Sequence, residues 1–255
     1  PPGPPRLPRA FRALFLWLPS LAVLGYLLRQ IDFTPGLWPD RPFDQPERLL
    51  TESRILWDYL GNLFLPRIEG SGLYRDNIII SRGLFDPPGT AWAIAGLAAL
   101  LAAAFRLRRC APFFSLAVLF FFAGHLIEST WLGLEPYFEH RNYLPAAFLF
   151  LPLARGLDRL RQQVSAATVA ISALAMLGTL AFLTHQRATL WGDAEQLELY
   201  WALAAPDSPR AQNALAHFYA RMGDAAQAET VITQAIARLP DSPLLTMSRL
   251  LQKVY

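Results

Sequence analysis

The sequence is short of charge and nearly empty of cysteine. Only 17% of its 255 residues are charged, against about a quarter in an ordinary soluble domain. The single cysteine, Cys110, excludes an intrachain disulfide and a cysteine-built metal site, and it leaves the redox compartment unmarked. No HExxH spacing, Walker loop, dinucleotide fingerprint or GxSxG elbow occurs. The start, Pro1-Pro2-Gly3-Pro4-Pro5, carries no Met and reads as an internal or processed end, not as a secretory leader. The net charge is +3, yet the arginines flank apolar stretches and make no basic helix face. That pattern fits membrane topology better than nucleic acid, which is excluded as a partner.

What the chain has instead is apolar length. The fold class expected is all-α: a polytopic membrane bundle of about five spans, followed by a helical-repeat segment. The spans read Ala10 to Leu28, Thr90 to Phe105, Pro112 to Leu132, Tyr143 to Leu157 and Val164 to Leu183, each near the length a bilayer needs. Pro145 and Pro152 make the fourth the least regular. Basic groups at Arg6, Arg9 and Arg12, at Arg106, Arg108 and Arg109, and at Arg155, Arg159 and Arg161 all fall on one side if five spans alternate. By the positive-inside rule that side is cytoplasmic, and the tail lies outside. Residues 1–187 form the membrane domain and 188–255 the tail.

The outward loop 30–89 is too long for a bare connection. Leu49, Leu50, Ile55, Leu56, Tyr59, Leu60, Leu63 and Phe64 make a helical stripe within it. That helix lies either along the membrane surface, with Trp38 and Trp57 at the headgroups, or on the protein's own outer elements. Ser71 to Pro88 reads as irregular.

Arg210 to Pro240 follows the pattern of a tetratricopeptide repeat, two helices with small residues at their contact. Leu215, Ala216 and Tyr219 lie on the first helix, Gly223-Asp224 at the turn, and Ala228, Ile232 and Ala235 on the second. Asp193 to Ala205 reads as half of a preceding repeat, and Pro243 to Tyr255 as the start of a third, cut short. One repeat cannot bury its own face, so Leu215, Tyr219, Tyr200 and Trp201 are offered to a protein partner.

The densest chemistry sits at the outer boundary of the bundle: His125 and Glu128 three apart, then Glu135, Glu139, His140, Arg141 and Tyr143. Ionisable groups at such a depth usually face a cavity or one another. As a substrate site, Arg141 would clamp a phosphate and Glu135 or Glu139 would act as acid, base or ligand. As a structural turn, the charges would simply pair. A divalent cation on Glu128, Glu135, Glu139 and His140 is the weaker alternative, and the reading without a cofactor stands first.

Three stretches resemble the transmembrane and tetratricopeptide-repeat O-mannosyltransferases and their bacterial relatives, within the GT-C glycosyltransferases. They are EHRNYLP at Glu139 to Pro145, HQRATLWGDAEQL at His185 to Leu197, and the repeat itself. Here Glu139-His140 stands where the family has Glu-Arg, with Arg141 displaced by one. The family's acidic catalytic motif has no match; Asp40, Asp44 and Asp58 lie in a loop of another character. The resemblance implies the C-terminal part of an enzyme of the bacterial inner membrane. That enzyme moves sugar from a polyprenyl-phosphate donor to an acceptor outside, with activity conditional on an upstream acidic loop. The competing expectation is a non-catalytic accessory subunit that docks through its repeat helices.

Overall fold

The computed structural model describes residues 8–65, 67, 75–76, 78–130 and 132–252. Among them every regular element is helical. Trp131, Gly72 and the last residues of the expected third-repeat helix fall outside the described residues.

Helices α1 (Arg9–Arg12) and α2 (Leu18–Arg29) join through a π turn at Ala13–Trp17. Pro19 lacks an N–H and its ring crowds the carbonyl four residues back, so the preceding turn widens. The rest follows as α3 (Gln45–Phe64), α4 (Gly89–Leu107), α5 (Pro112–His125), α6 (Leu151–Leu160), α7 (Ala166–Trp191), α8 (Ala194–Ala204), α9 (Pro209–Arg221), α10 (Ala225–Arg238) and α11 (Pro243–Gln252). Three helices are long and apolar enough to cross a membrane: Ala10–Arg29, Gly89–Leu107 and Ala166–Trp191. Trp17, Leu21, Ile171, Leu174 and Phe182 on the first and last of these are exposed. An apolar surface of that extent is stable against lipid or a partner, not against water.

Two expected spans look different in the structure. The third ends early, at His125. Arg48 takes the carbonyl of Glu128, which a helix continuing to Leu132 would have used for its own ladder, and that of Leu134 beyond it. The fourth is not one helix. Pro145 opens a 3-10 turn at Pro145–Phe148, and Pro152 sits in the first turn of α6; neither proline can donate to the turn before it. The segment still returns along α5. Pro145 meets Gly124, where an added Cβ would lie 2.7 Å from its Cγ. Phe148 packs edge-on to Phe120 at 4.7 Å, and Pro152, Arg155 and Arg159 reach the level of Ala111 to Phe114. In contrast α7 overruns its expected end at Leu183, because nothing breaks a helix before Gly192.

The apolar stripe of α3 turns inward. Ile55, Leu56, Tyr59 and Leu60 share one core with Leu97 of α4, Ala117 and Phe121 of α5, and Tyr137 and Leu149. Trp57 donates its indole N–H to the Ala93 carbonyl at 3.0 Å. Gly96 makes room for that ring, since a Cβ there would come within 2.8 Å of it. Of the two placements open for this helix, its buried face lies on α4 and α5.

The tail has its own small core of Ala216, Val231, Ile232, Ala235 and Leu245. Alanines at the α9–α10 contact let the two backbones approach closely. Gly223, at φ 81°, makes the left-handed turn between them at no steric cost. Leu215 and Tyr219 pack partly buried on this core, Tyr200 is half-buried, and Trp201 is 6% exposed. Trp201 is therefore corrected from a partner-facing residue to an interior one, because a partner cannot reach it.

Candidate functional site

Helix α3 supplies one wall of the polar cluster around Glu128 to Tyr143. Arg48 and Glu52, one turn apart, both point inward and pair at 3.0 Å. Arg48 is wholly buried and holds the chain at Glu128 and at Leu134 through the two carbonyls already named, that of Glu128 at 2.6 Å. Burial raises the Glu52 carboxyl to about 7, against the opposing pull of Arg48, Ser129 and Arg141.

The residues expected to form a substrate site separate into three groups. His125 is buried. Its Nε2 lies 3.2 Å from Asn142 Oδ1, its Nδ1 lies 3.4 Å from Ser129 Oγ, and its ring stacks on Tyr59 at 5.5 Å. An Nε2-protonated ring satisfies both partners, so His125 is a packed and bonded core histidine. Arg141 is also buried. It bonds the Glu135 carbonyl at 2.7 Å, pairs with Glu128 at 3.4 Å and lies over the Phe138 ring. His140 is exposed beside Phe138. Tyr143 is 91% exposed and stands apart from the cluster, because the 3-10 turn at Glu139–Asn142 aims it away.

Glu135 and Glu139 are the residues that reach distant elements. Glu139 pairs with Arg187 of α7 at 2.5 Å and with Arg75 at 3.8 Å. Glu135 accepts from two nitrogens of Arg210, at 2.9 and 3.1 Å, and lies 3.8 Å from Arg41. Arg210 also grips Asp76, which accepts from Ser208 at 2.6 Å. Burial raises the Asp76 carboxyl, but the hydrogen bonds from Arg210 and Ser208 outweigh it and hold it below its ordinary value. Arg75, Asp76, Arg187 and Arg210 were not singled out from the sequence. Each lies far along the chain from its partner, and a lone charge in a loop or helix carries no local signal of pairing.

Two cavities flank Tyr137. The larger, about 500 Å³, lies between α3, the 137–142 loop and the C-terminal end of α7. Tyr59, Tyr137 and Trp191 line it together with Asn62, Asn142, Glu139 and Arg187. Asn62 donates to the Tyr137 hydroxyl at 2.8 Å. Burial pushes that phenol up, so it keeps its proton and can donate onward. The second cavity, about 370 Å³, lies between the 41–43 segment, Arg75, Asp76, Ile78 and Ile80, Glu135 to Tyr137, and the tail at Pro209, Arg210, Ser242 and Leu244. Arg75 stacks over the Tyr137 ring at 4.1 Å and completes the wall between the two.

Among the described residues no three His, Cys, Asp or Glu gather in a metal-binding group. Every acid of the mouth that was a candidate ligand faces an arginine. Comparison with protein-family models, curated proteins and solved structures gives no match to this chain.

Proposed function

We propose that this chain is the membrane and repeat portion of a GT-C-type glycosyltransferase, taking sugar from a polyprenyl-phosphate donor to an acceptor outside the membrane. The observation that carries the reading is the 500 Å³ cavity. Aromatic faces beside amide, carboxylate and guanidinium groups are the chemistry that holds a sugar ring and its phosphate. Arg187 is the phosphate partner, and Glu139, which it now pairs with, is the group the phosphate displaces. His125, Glu128 and Arg141 shape the mouth and do not touch the ligand. Five passes through the bilayer, counting the broken return along α5, put the basic turns in the bacterial cytoplasm and the tetratricopeptide-type tail in the periplasm. No acidic residue here matches the family's catalytic motif, so the chemistry of transfer would need a carboxylate from elsewhere.

The protein in lipid nanodiscs, analysed by native mass spectrometry, tests this. Polyprenyl phosphate should be retained over phosphatidylethanolamine, and Arg187→Ala should weaken retention about tenfold, the worth of one charged hydrogen bond. Equal retention of both lipids, or no effect of Arg187→Ala, refutes it. One observation favours the accessory-subunit reading: Leu244, Met247, Leu250 and Leu251 of α11 are exposed together, as on a repeat stack that continues onto a partner.

A further inference from the structure

A third cavity, about 310 Å³, lies at the opposite end of α5 from the polar cluster. Its walls are the corner that opens α5, Ala111 to Phe114, and one face of α6. Pro152, Arg155, Gly156 and Arg159 are spaced as i, i+3, i+4 and i+7, which brings them into a single row along that helix. Gly156 leaves the middle of the row open, since a Cβ there would meet nothing within 4 Å. The facing wall is firm. Buried Ser115 donates to the Ala104 carbonyl at 2.7 Å and ties the start of α5 to the last turn of α4.

Two properties meet in this cleft. The stretches Arg106 to Phe114 and Leu151 to Arg161 carry six arginines and one acid, Asp158. Asp158 pairs with Arg155, both side chains about half exposed, so Arg159 brings the cleft its net positive charge. Apolar surface runs on from there: Phe113 and Phe114 line the cleft, and Phe105, Phe113 and Leu116 are exposed. Helix α4 is long and apolar enough to cross a membrane. A span ending at Leu107 sets the Arg106–Arg109 turn and the cleft at the lipid boundary, with Phe105 and Leu116 on the oil side. A soluble anion would leave that apolar surface uncovered, and an acidic peptide would have to lie in oil. A phospholipid brings a charged head and a hydrocarbon chain at these two heights.

We infer that this cleft seats the headgroup of an anionic phospholipid, its phosphodiester on Arg159 and Arg155 and its acyl chains along Phe113 and Leu116. Guanidinium forks match phosphate oxygens two by two, and basic pockets between membrane helices are a recurring form of lipid site. The volume is at the low end for small-ligand sites; it admits a headgroup and leaves the chains outside. A lipid there fills the gap between α5 and the broken return segment. The inference rests on these helices crossing a bilayer and not on the transferase reading.

The test adds dioleoylphosphatidylglycerol or dioleoylphosphatidylcholine to the full chain in a mild detergent and counts bound lipid by native mass spectrometry. Phosphatidylglycerol should bind at least about tenfold more tightly. Arg155→Gln with Arg159→Gln should abolish that preference, and Asp158→Asn should increase it by freeing Arg155. Gly156→Phe keeps every charge but fills the cleft, and should weaken phosphatidylglycerol at least about tenfold. Arg106→Gln with Arg161→Gln removes the same charge from residues that do not line the cleft, and should leave binding within about twofold. An equal loss in that control pair would mean diffuse surface charge and overturns the site. So does a wild type without the preference, or a Gly156→Phe variant that binds like wild type. Arg187→Ala should leave phosphatidylglycerol binding intact while lowering polyprenyl phosphate retention, so either proposal can fail alone.

Discussion

Glu52→Gln gives a prediction that runs against the usual expectation for a buried ion pair. The glutamine keeps the shape of the side chain and removes its ionisation. The carboxyl is 2% exposed and ionises at about 7 in the folded protein against 4.5 ordinarily. Between those values the folded chain binds a proton that the unfolded chain has released. Stability from this group is therefore full below about pH 4.5, falls as pH rises, and is lost above about 7. The difference corresponds to about 3 kcal/mol. At pH 5 wild type and variant should agree within about 1 kcal/mol, because both carry a neutral group beside Arg48. At pH 8.5 the variant should be the more stable, by about 3 kcal/mol, or about 6 to 12 °C in a chain of this size. The measurement is thermal unfolding in a mild detergent between pH 5 and 8.5, read by tryptophan fluorescence. The competing expectation is that removing one partner of a buried pair costs about 3 to 5 kcal/mol at any pH where both are charged. A variant less stable than wild type at pH 8.5, or parallel pH curves, would refute the assignment of burial as the dominant effect.

Gly124→Ala should destabilise the protein by about 1 to 3 kcal/mol, since the new methyl meets Pro145 at both Cγ and backbone Cα; the same thermal assay checks it, with Gly178→Ala, mid-helix and in open space, as the control expected to be unchanged or stabilised by up to about 1 kcal/mol. Ser208→Ala removes the N-cap of α9, which accepts from Ala211 N–H at 3.1 Å, and with it a donor to Asp76. Limited proteolysis should show the tail cut faster, with a stability loss of about 1 to 2 kcal/mol, while a cleavage pattern identical to wild type would count against the cap. Arg210→Ala should speed hydrogen exchange in the first turns of α9 and in the loop around Glu135 together, because one guanidinium holds both; acceleration in only one of them would show that the two are not coupled.

Local features of the chain announced the helices well and their irregularities poorly. Gly89–Leu107 and the α9–α10 hairpin lie close to where apolar runs, Gly223 and the alanine spacing place them. Prolines 145 and 152 were visible as disturbances, but not the outcome, because whether a proline kinks a helix or breaks it depends on what replaces the lost bonds. The early end of α5 had no local sign at all, since it depends on Arg48, eighty residues away from Glu128. The site divides in the same way. Glu135 and Glu139 stood out by local density, yet their meaning rests on Arg210 and Arg187. Tyr143 shared the density and none of the geometry.

Helix α7 has 26 residues, about 39 Å at the ordinary rise, and a hydrocarbon layer is about 30 Å thick. A helix of that length that crosses a bilayer stands proud of the oil by about 9 Å, roughly the stretch from His185 to Trp191. Were the first residues of α7 flush with the opposite boundary, Arg187 and Trp191 would sit on that projecting stub, at the height of lipid headgroups. A molecule entering the larger cavity from the side would keep its tail in the oil while its head met water-level chemistry. Such an overhang would work as a stand, its length setting how far above the lipid surface the tail is carried.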